Sequence, residues 1–109
     1  MDWKEVDEGP KWVPILNQTE VTYGIPTDLL ARVAYQESHF RPDIISGSTR
    51  SPAGAVGIMQ LIPKWFPGAG VDPVKDIGMA GAELARLWRV RSISFTVSVK
   101  LPLKLLYQS

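Results

Sequence analysis

A mainly α fold is what this 109-residue sequence predicts, on three observations. Apolar residues recur at three- and four-residue spacing over about 11–21, 26–39 and 77–89, the period of helices with one buried face. The stretches between them are rich in Gly, Pro and Ser, and they carry turn and cap chemistry. There is no cysteine, so no disulfide framework replaces a packed core. The length suits one domain, able to bury roughly two-thirds of its unfolded surface if it folds alone.

Composition removes several classes of function. Hydrophobic residues make up 45% and charged residues 21%, the balance of an ordinary soluble globular chain. Without cysteine there is no thiol nucleophile and no thiolate metal site. The only histidine is His39, so a zinc centre would have to be built mostly from carboxylates, and no metal or other cofactor is expected. A net charge of +1 gives no ground for nucleic-acid binding. The charge is unevenly spread: residues 1–83 hold seven Lys/Arg against eleven Asp/Glu, and residues 84–109 hold five Lys/Arg and no acid. The start, MDWKEVDEGP, lacks the basic and apolar regions of a secretory signal, and no apolar run approaches the ~20 residues that span a bilayer.

In chain order, residues 1–10 read as an acidic leader ending in the Gly9-Pro10 turn signal. Trp12, Ile15, Leu16 and Thr19 predict a helix from Lys11 to Val21, with Pro14 in its first turn and Trp12 as a packing residue. Gly24 ends it. Pro26 and Asp28 suit the start of a second helix that runs to about His39, where Pro42 stops it. Residues 41–56 form a long Ser/Gly/Pro loop, and GIMQLIP at 57–63 reads as a short buried helix or turn. Asp72-Pro73 and Asp76 supply cap chemistry for a third helix from about Ile77 to Arg89. From Val90 the pattern turns strand-like, with Ile93, Phe95, Val97, Val99 and Leu101 alternating with polar residues. The domain is therefore expected over 11–89, with 90–109 as a basic, atypical tail.

The candidate chemistry centres on Glu37. Leu29, Val33 and Glu37 stand at i, i+4 and i+8, so a carboxyl continues the apolar stripe of the second helix close to its end. Such a setting raises a carboxyl pKa toward the range a general acid needs, and a polar loop comes directly after it. Ser51 and Gln60 offer a hydroxyl and an amide suited to sugar hydroxyls or an N-acetyl group, but taken alone Ser51 reads better as a turn residue and Gln60 as a capping or surface residue. Met59 and Ile62 read as core, or as an apolar floor beside the acid. Gly54 and Gly57 read as turn or close-approach residues, since no phosphate-binding fingerprint surrounds them. His39, two residues from Glu37, points elsewhere on the helix and reads as a surface residue.

Glu37-Ser38, the run from Ser51 to Pro63 (SPAGAVGIMQLIP), Asp72-Pro73, Asp76-Ile77 and Gly81-Ala82-Glu83-Leu84 together resemble a soluble-lytic-transglycosylase catalytic domain over about residues 11–88. The resemblance implies a lysozyme-like helical fold that acts on a peptidoglycan strand. It implies Glu37 as the single acid/base, with Ser51 and Gln60 touching substrate and Gly57, Met59 and Ile62 completing the binding motif. The expected reaction cleaves the β-1,4 bond between N-acetylmuramic acid and N-acetylglucosamine and leaves a 1,6-anhydromuramoyl end. Ordinary glycosidases use two carboxylates; the nearest second acid in sequence, Asp43, carries no mark of a partner.

Two departures from the family pattern stand out. The loop between Glu37 and Ser51 is several residues longer than usual. The family's Ala-Tyr-Asn-Ala-Gly segment, whose Tyr sits beside the catalytic Glu, is missing, and RSISFTVSVKLPLKLLYQS stands in its place. The C-terminal part thus reads as truncated or replaced. The alternatives are an inactive peptidoglycan-binding or structural virion protein and a hydrolysing lysozyme-like muramidase. Placement in a bacteriophage virion, or delivery to the periplasm or cell wall without a signal peptide, is expected from the resemblance, with other virion or envelope proteins as partners.

Overall fold

The computed structural model describes residues 2–91 of the chain. The strand-like pattern expected from Ile93 to Leu101 lies outside the described residues. Within them the fold is mainly α: helices α1 (Gly9–Tyr23), α2 (Leu29–Ser38), α3 (Pro42–Ile45) and α4 (Pro73–Arg91) come after a 3-10 turn at Trp3–Glu5. The one β feature among the described residues is an isolated antiparallel bridge between Val56 and Leu61.

Helix α1 begins two residues earlier than expected. The Glu8 carbonyl accepts the amides of Lys11 (3.0 Å) and Trp12 (3.1 Å), and the Glu8 carboxylate accepts the Trp12 indole N–H at 2.9 Å. Pro10, in the first turn, gives up an N–H that would have had no helical partner. Pro14 consequently lies inside the helix. Pro14 and Pro10 are both exposed, so the Pro10 carbonyl that Pro14 cannot serve belongs to the solvent side of the helix. Gly24, in the left-handed region at φ 69°, closes the helix as the sequence indicates.

The start of α2 is made differently from expectation. Asp28 precedes the helix, but its side chain makes no cap bond. Burial would push its carboxyl up, yet hydrogen bonds from Lys4 and Asn17 hold it below the ordinary value, and the Lys4 ion pair is 2.6 Å long. The cap comes instead from α1. Glu20, 1% exposed, accepts the Asp28 amide at 2.8 Å and the Ala31 amide at 2.9 Å, with Asn17 Nδ2 donating to it at 2.8 Å. A buried carboxylate is tolerable when several donors surround it, and the free amides of a helix start supply them.

Helix α4 starts at Pro73, four residues before the expected Ile77. Asp72 Oδ1 accepts the Val74 amide at 3.0 Å, and Pro73 suits the first helical position. It continues to Arg91, past the point where the sequence pattern changes. Helix α1 packs against both α2 and α4. At the crossing a Cβ on Gly81 would lie 2.6 Å from Thr19 Cγ2, so only glycine allows α4 this close to α1. One core results, with Leu16 of α1, Leu29, Leu30 and Val33 of α2, and Ile77 and Leu84 of α4 all buried in it.

Candidate active site

Glu37 is the penultimate residue of α2 and is half-buried. Leu29 and Val33, on the same stripe, are 0% and 1% exposed, so the stripe leaves the core as it reaches Glu37. That is the placement the spacing predicts: an acid continuing an apolar stripe at the helix end, half-buried.

The helix stops abruptly just after Glu37. Ser38 is fully buried; its hydroxyl donates to the Ala34 carbonyl at 3.0 Å and accepts the Phe40 amide at 3.2 Å. His39 and Phe40 both take positive φ, 52° and 56°, a conformation that residues with side chains seldom adopt. The His39 amide donates to the Tyr35 carbonyl at 2.7 Å, the Arg41 amide to the Ser38 carbonyl at 3.0 Å, and the Phe40 carbonyl accepts the Glu8 amide at 3.0 Å. Phe40 itself is 0% exposed. Core burial of Phe40 and these bonds hold the two strained residues and thereby fix where α2, and Glu37 on it, ends. The Ser of the Glu-Ser pair is therefore a positioning residue in this fold.

The long loop after Glu37 is organised by Asp43. Its carboxylate accepts the Thr49 hydroxyl at 2.8 Å and pairs with Arg41 at 3.1 Å, while its carbonyl accepts the Ser48 hydroxyl at 2.9 Å and the Thr49 amide at 3.0 Å. The Thr49 hydrogen bond, with the Arg41 charge beside it, holds the Asp43 carboxyl below its ordinary value. Ser51 sits at the next turn, half-buried, accepting the Ala55 amide on its hydroxyl at 2.9 Å. A hydroxyl that accepts can still donate, so this turn role leaves Ser51 able to serve a ligand.

The Gly-Ile-Met-Gln segment is a four-residue turn, not a helix. Val56 and Leu61 exchange both amide bonds, at 3.0 and 3.1 Å, and residues 57–60 close the loop between them. Gln60 adopts φ 50°, is 6% exposed, and donates its side-chain amide to the Gly57 carbonyl at 2.9 Å. Met59 is fully buried, whereas Ile62 is half-buried at the edge of the turn. Ile58, Met59 and Leu61 share the core cluster with Val33 and Ala34, so the motif packs into the same core as the helix that carries Glu37.

A carboxylate that the sequence suggested only as a cap anchors this turn from behind. Asp76, in the first turn of α4, is 0% exposed and accepts the Gly70 amide on both oxygens, at 3.1 and 2.9 Å. Burial pushes its carboxyl up to about 6, against the lowering effect of the Gly70 bond. A Cβ on Gly57 would lie 2.5 Å from Asp76 Oδ2, and Gly57 has φ 81°. Glycine at 57 is thus demanded twice, by backbone conformation and by contact.

Sequence reasoning singled out Glu37 and passed over Glu20 and Asp76 as buried acids. The signal was present: Trp12-Leu16-Glu20 and Asp76-Ala80-Leu84 have the same four-residue stripe spacing as Leu29-Val33-Glu37. The structure separates them. Glu20 faces three donors, Asp76 faces a loop amide, and Glu37 alone of the three keeps part of its surface outside. Among the described residues no group of His, Asp and Glu could hold a metal ion, and no helix is long and apolar enough to cross a membrane.

A fold of this kind, with Glu37 ahead of the Ser51 and Gly57–Gln60 turns, matches a family model described as the Transglycosylase SLT domain over residues 14–87. The match takes in more than half of the chain, and the chain belongs to that family. It is similar to the Membrane-bound lytic murein transglycosylase F 2 of Alkalilimnicola ehrlichii, with 39% identity over 77 residues, 67% of this chain and 16% of that protein. The chain thus spans about a sixth of that relative's length. No solved structure matches.

Proposed function

We propose that the chain is a peptidoglycan lytic transglycosylase unit in which Glu37 is the sole acid/base. The observation that carries the reading is the placement of Glu37, half-buried on an apolar stripe and held at a helix end fixed by Ser38, His39 and Phe40. In the proposed reaction the Glu37 carboxylic acid protonates the glycosidic oxygen between N-acetylmuramic acid and N-acetylglucosamine. The C1–O bond breaks and the N-acetylglucosamine hydroxyl leaves. The muramoyl 6-hydroxyl adds to C1 and returns its proton to the Glu37 carboxylate, so water is not consumed and a 1,6-anhydro end forms. Ser51 and Gln60 would contact the sugar, with Gly57 and Ile62 shaping the adjoining surface and Met59 behind them.

Asp43 supports the single-acid reading, because Thr49 and Arg41 already hold its carboxylate in the loop. The same-family relative, a lytic murein transglycosylase by name, supports the substrate class.

Digestion of purified peptidoglycan by the 109-residue chain, with mass analysis of the soluble fragments, tests the reading. Anhydromuropeptides are the expected products. Reducing ends would replace the lyase by a hydrolysing muramidase, and a folded chain that releases nothing would leave a binding or structural protein.

A further inference from the structure

On the side of α2 turned away from Glu37, Arg32, Tyr35, Gln36 and His39 recur at three- and four-residue spacing. Together with Trp3 they line a groove of about 340 Å³. The rings there are tilted, with Trp3 and Tyr35 5.7 Å apart at 49° and Tyr35 and His39 4.8 Å apart at 57°.

Aromatic grooves commonly take sugars on a bare ring face, but the Trp3 faces are in use. Phe40 stacks on the indole at 6.4 Å, the Arg32 guanidinium lies over it at 5.3 Å, and the Lys4 ammonium lies over it at 5.7 Å. What the groove presents is a guanidinium laid on an aromatic ledge. Lys4 is paired with Asp28, whereas Arg32 is exposed and makes no salt bridge among the described residues. Asp28 lies close enough to feel the Arg32 charge, but its oxygens are bonded to Lys4 and Asn17. Among the described residues no Asp or Glu lines the groove. A stacked guanidinium is weakly hydrated, and its planar fork suits a carboxylate, which it can bind through two parallel N–H bonds.

We propose that this groove is a carboxylate-binding subsite that takes the acidic peptide stem of peptidoglycan, with Arg32 gripping the carboxylate and Tyr35 and His39 packing on the peptide's apolar atoms. The choice of stem rests on the proposed function, which supplies a polymer whose peptides carry free carboxylates. Because Glu37 lies on the other side of α2, the stem held here belongs to a different stretch of wall from the bond being cut. The domain would then grip the wall on one side and cleave on the other.

Titration of the ¹⁵N-labelled chain with L-alanyl-γ-D-glutamate, and separately with its diamide, tests the subsite by NMR. Shifts should centre on the Trp3 indole N–H and the Arg32 side chain, and the diamide should bind at least about tenfold more weakly. Arg32→Gln should lose a similar factor, with Arg32→Lys, which keeps the charge and loses the fork, falling between. Equal binding of acid and diamide, unchanged affinity in Arg32→Gln, or shifts confined to other surfaces would overturn the proposal. Turnover plays no part in this readout. A chain that binds the dipeptide and cleaves nothing would retire the proposed reaction and leave the subsite standing, and a chain that cleaves without binding it would do the reverse.

Discussion

Asp76 presses Oδ2 against the α-carbon side of Gly57, leaving 2.5 Å where a Cβ would have to sit. A carboxylate at the start of α4 thus touches the first residue of the Gly-Ile-Met-Gln turn, and the fit of that turn depends on a side chain nineteen positions away.

Gly57→Ala should destabilise the fold by about 2 kcal/mol or more, from its positive φ together with the overlap. In an Asp76→Ala background the overlap disappears and the φ strain stays, so the double variant should lose less than the two single losses added. Urea denaturation of the four proteins measures this coupling. Strict additivity would show that the contact is not the cause.

Asp76 also makes stability depend on pH. Its folded carboxyl, raised to about 6 from 3.8, binds a proton more tightly than the unfolded chain does. The stabilisation is therefore complete below about 3.8 and is lost as pH rises through about 6. A tenfold change in proton affinity is worth about 1.4 kcal/mol, which limits the effect to about 3 kcal/mol. Asp76→Asn keeps an acceptor for Gly70 and cannot ionise, so its Tm relative to the wild type should rise between pH 4 and pH 7. A constant difference across that range would remove Asp76 as the titrating group.

Glu37→Gln preserves the shape of the side chain and cannot deliver a proton. Release of anhydromuropeptides should fall about 10²–10⁴-fold, the usual share of general acid–base catalysis, with the helical circular dichroism unchanged. Turnover equal to the wild type would take Glu37 out of the reaction.

Glu20→Ala should be the most damaging of the acidic substitutions to stability, by about 3 kcal/mol or more. It strands the buried amide of Ala31 and the part-buried amide of Asp28 and opens a hole between α1 and α2. Glu20→Gln, which faces one of those donors with another donor, should fall between wild type and Ala in chemical denaturation.

The helices and the position of Glu37 were legible because they arise from local periodicity, and Leu29, Val33 and Glu37 keep their stripe in the fold. The ends were less so. Pro14 reads as a first-turn residue until Glu8 is seen to accept two amides and a tryptophan N–H and to draw the start of α1 back to Gly9. Asp28 reads as an acid placed at a helix start for the dipole, because nothing local reveals that Lys4 and Asn17 occupy it and that Glu20 does the capping. For the candidate site, the motif order singles out Glu37, Ser51 and Gln60, yet spacing alone selects Glu20 and Asp76 by the same rule. What distinguishes the three acids is which donors reach them from distant parts of the chain, and a linear pattern does not contain that information.

The cap that Glu20 lends to α2 links the formation of one helix to the docking of another. A ten-residue helix is too short to persist alone in water, and α2 lacks a side-chain cap of its own. It should therefore gain its helical structure only once α1 is in place to supply the carboxylate, which makes the α1–α2 hairpin the natural folding nucleus. A peptide cut to contain only α2 and the Glu-Ser pair would then be unstructured in solution, and Glu37 would have no defined position without the fifteen-residue helix before it.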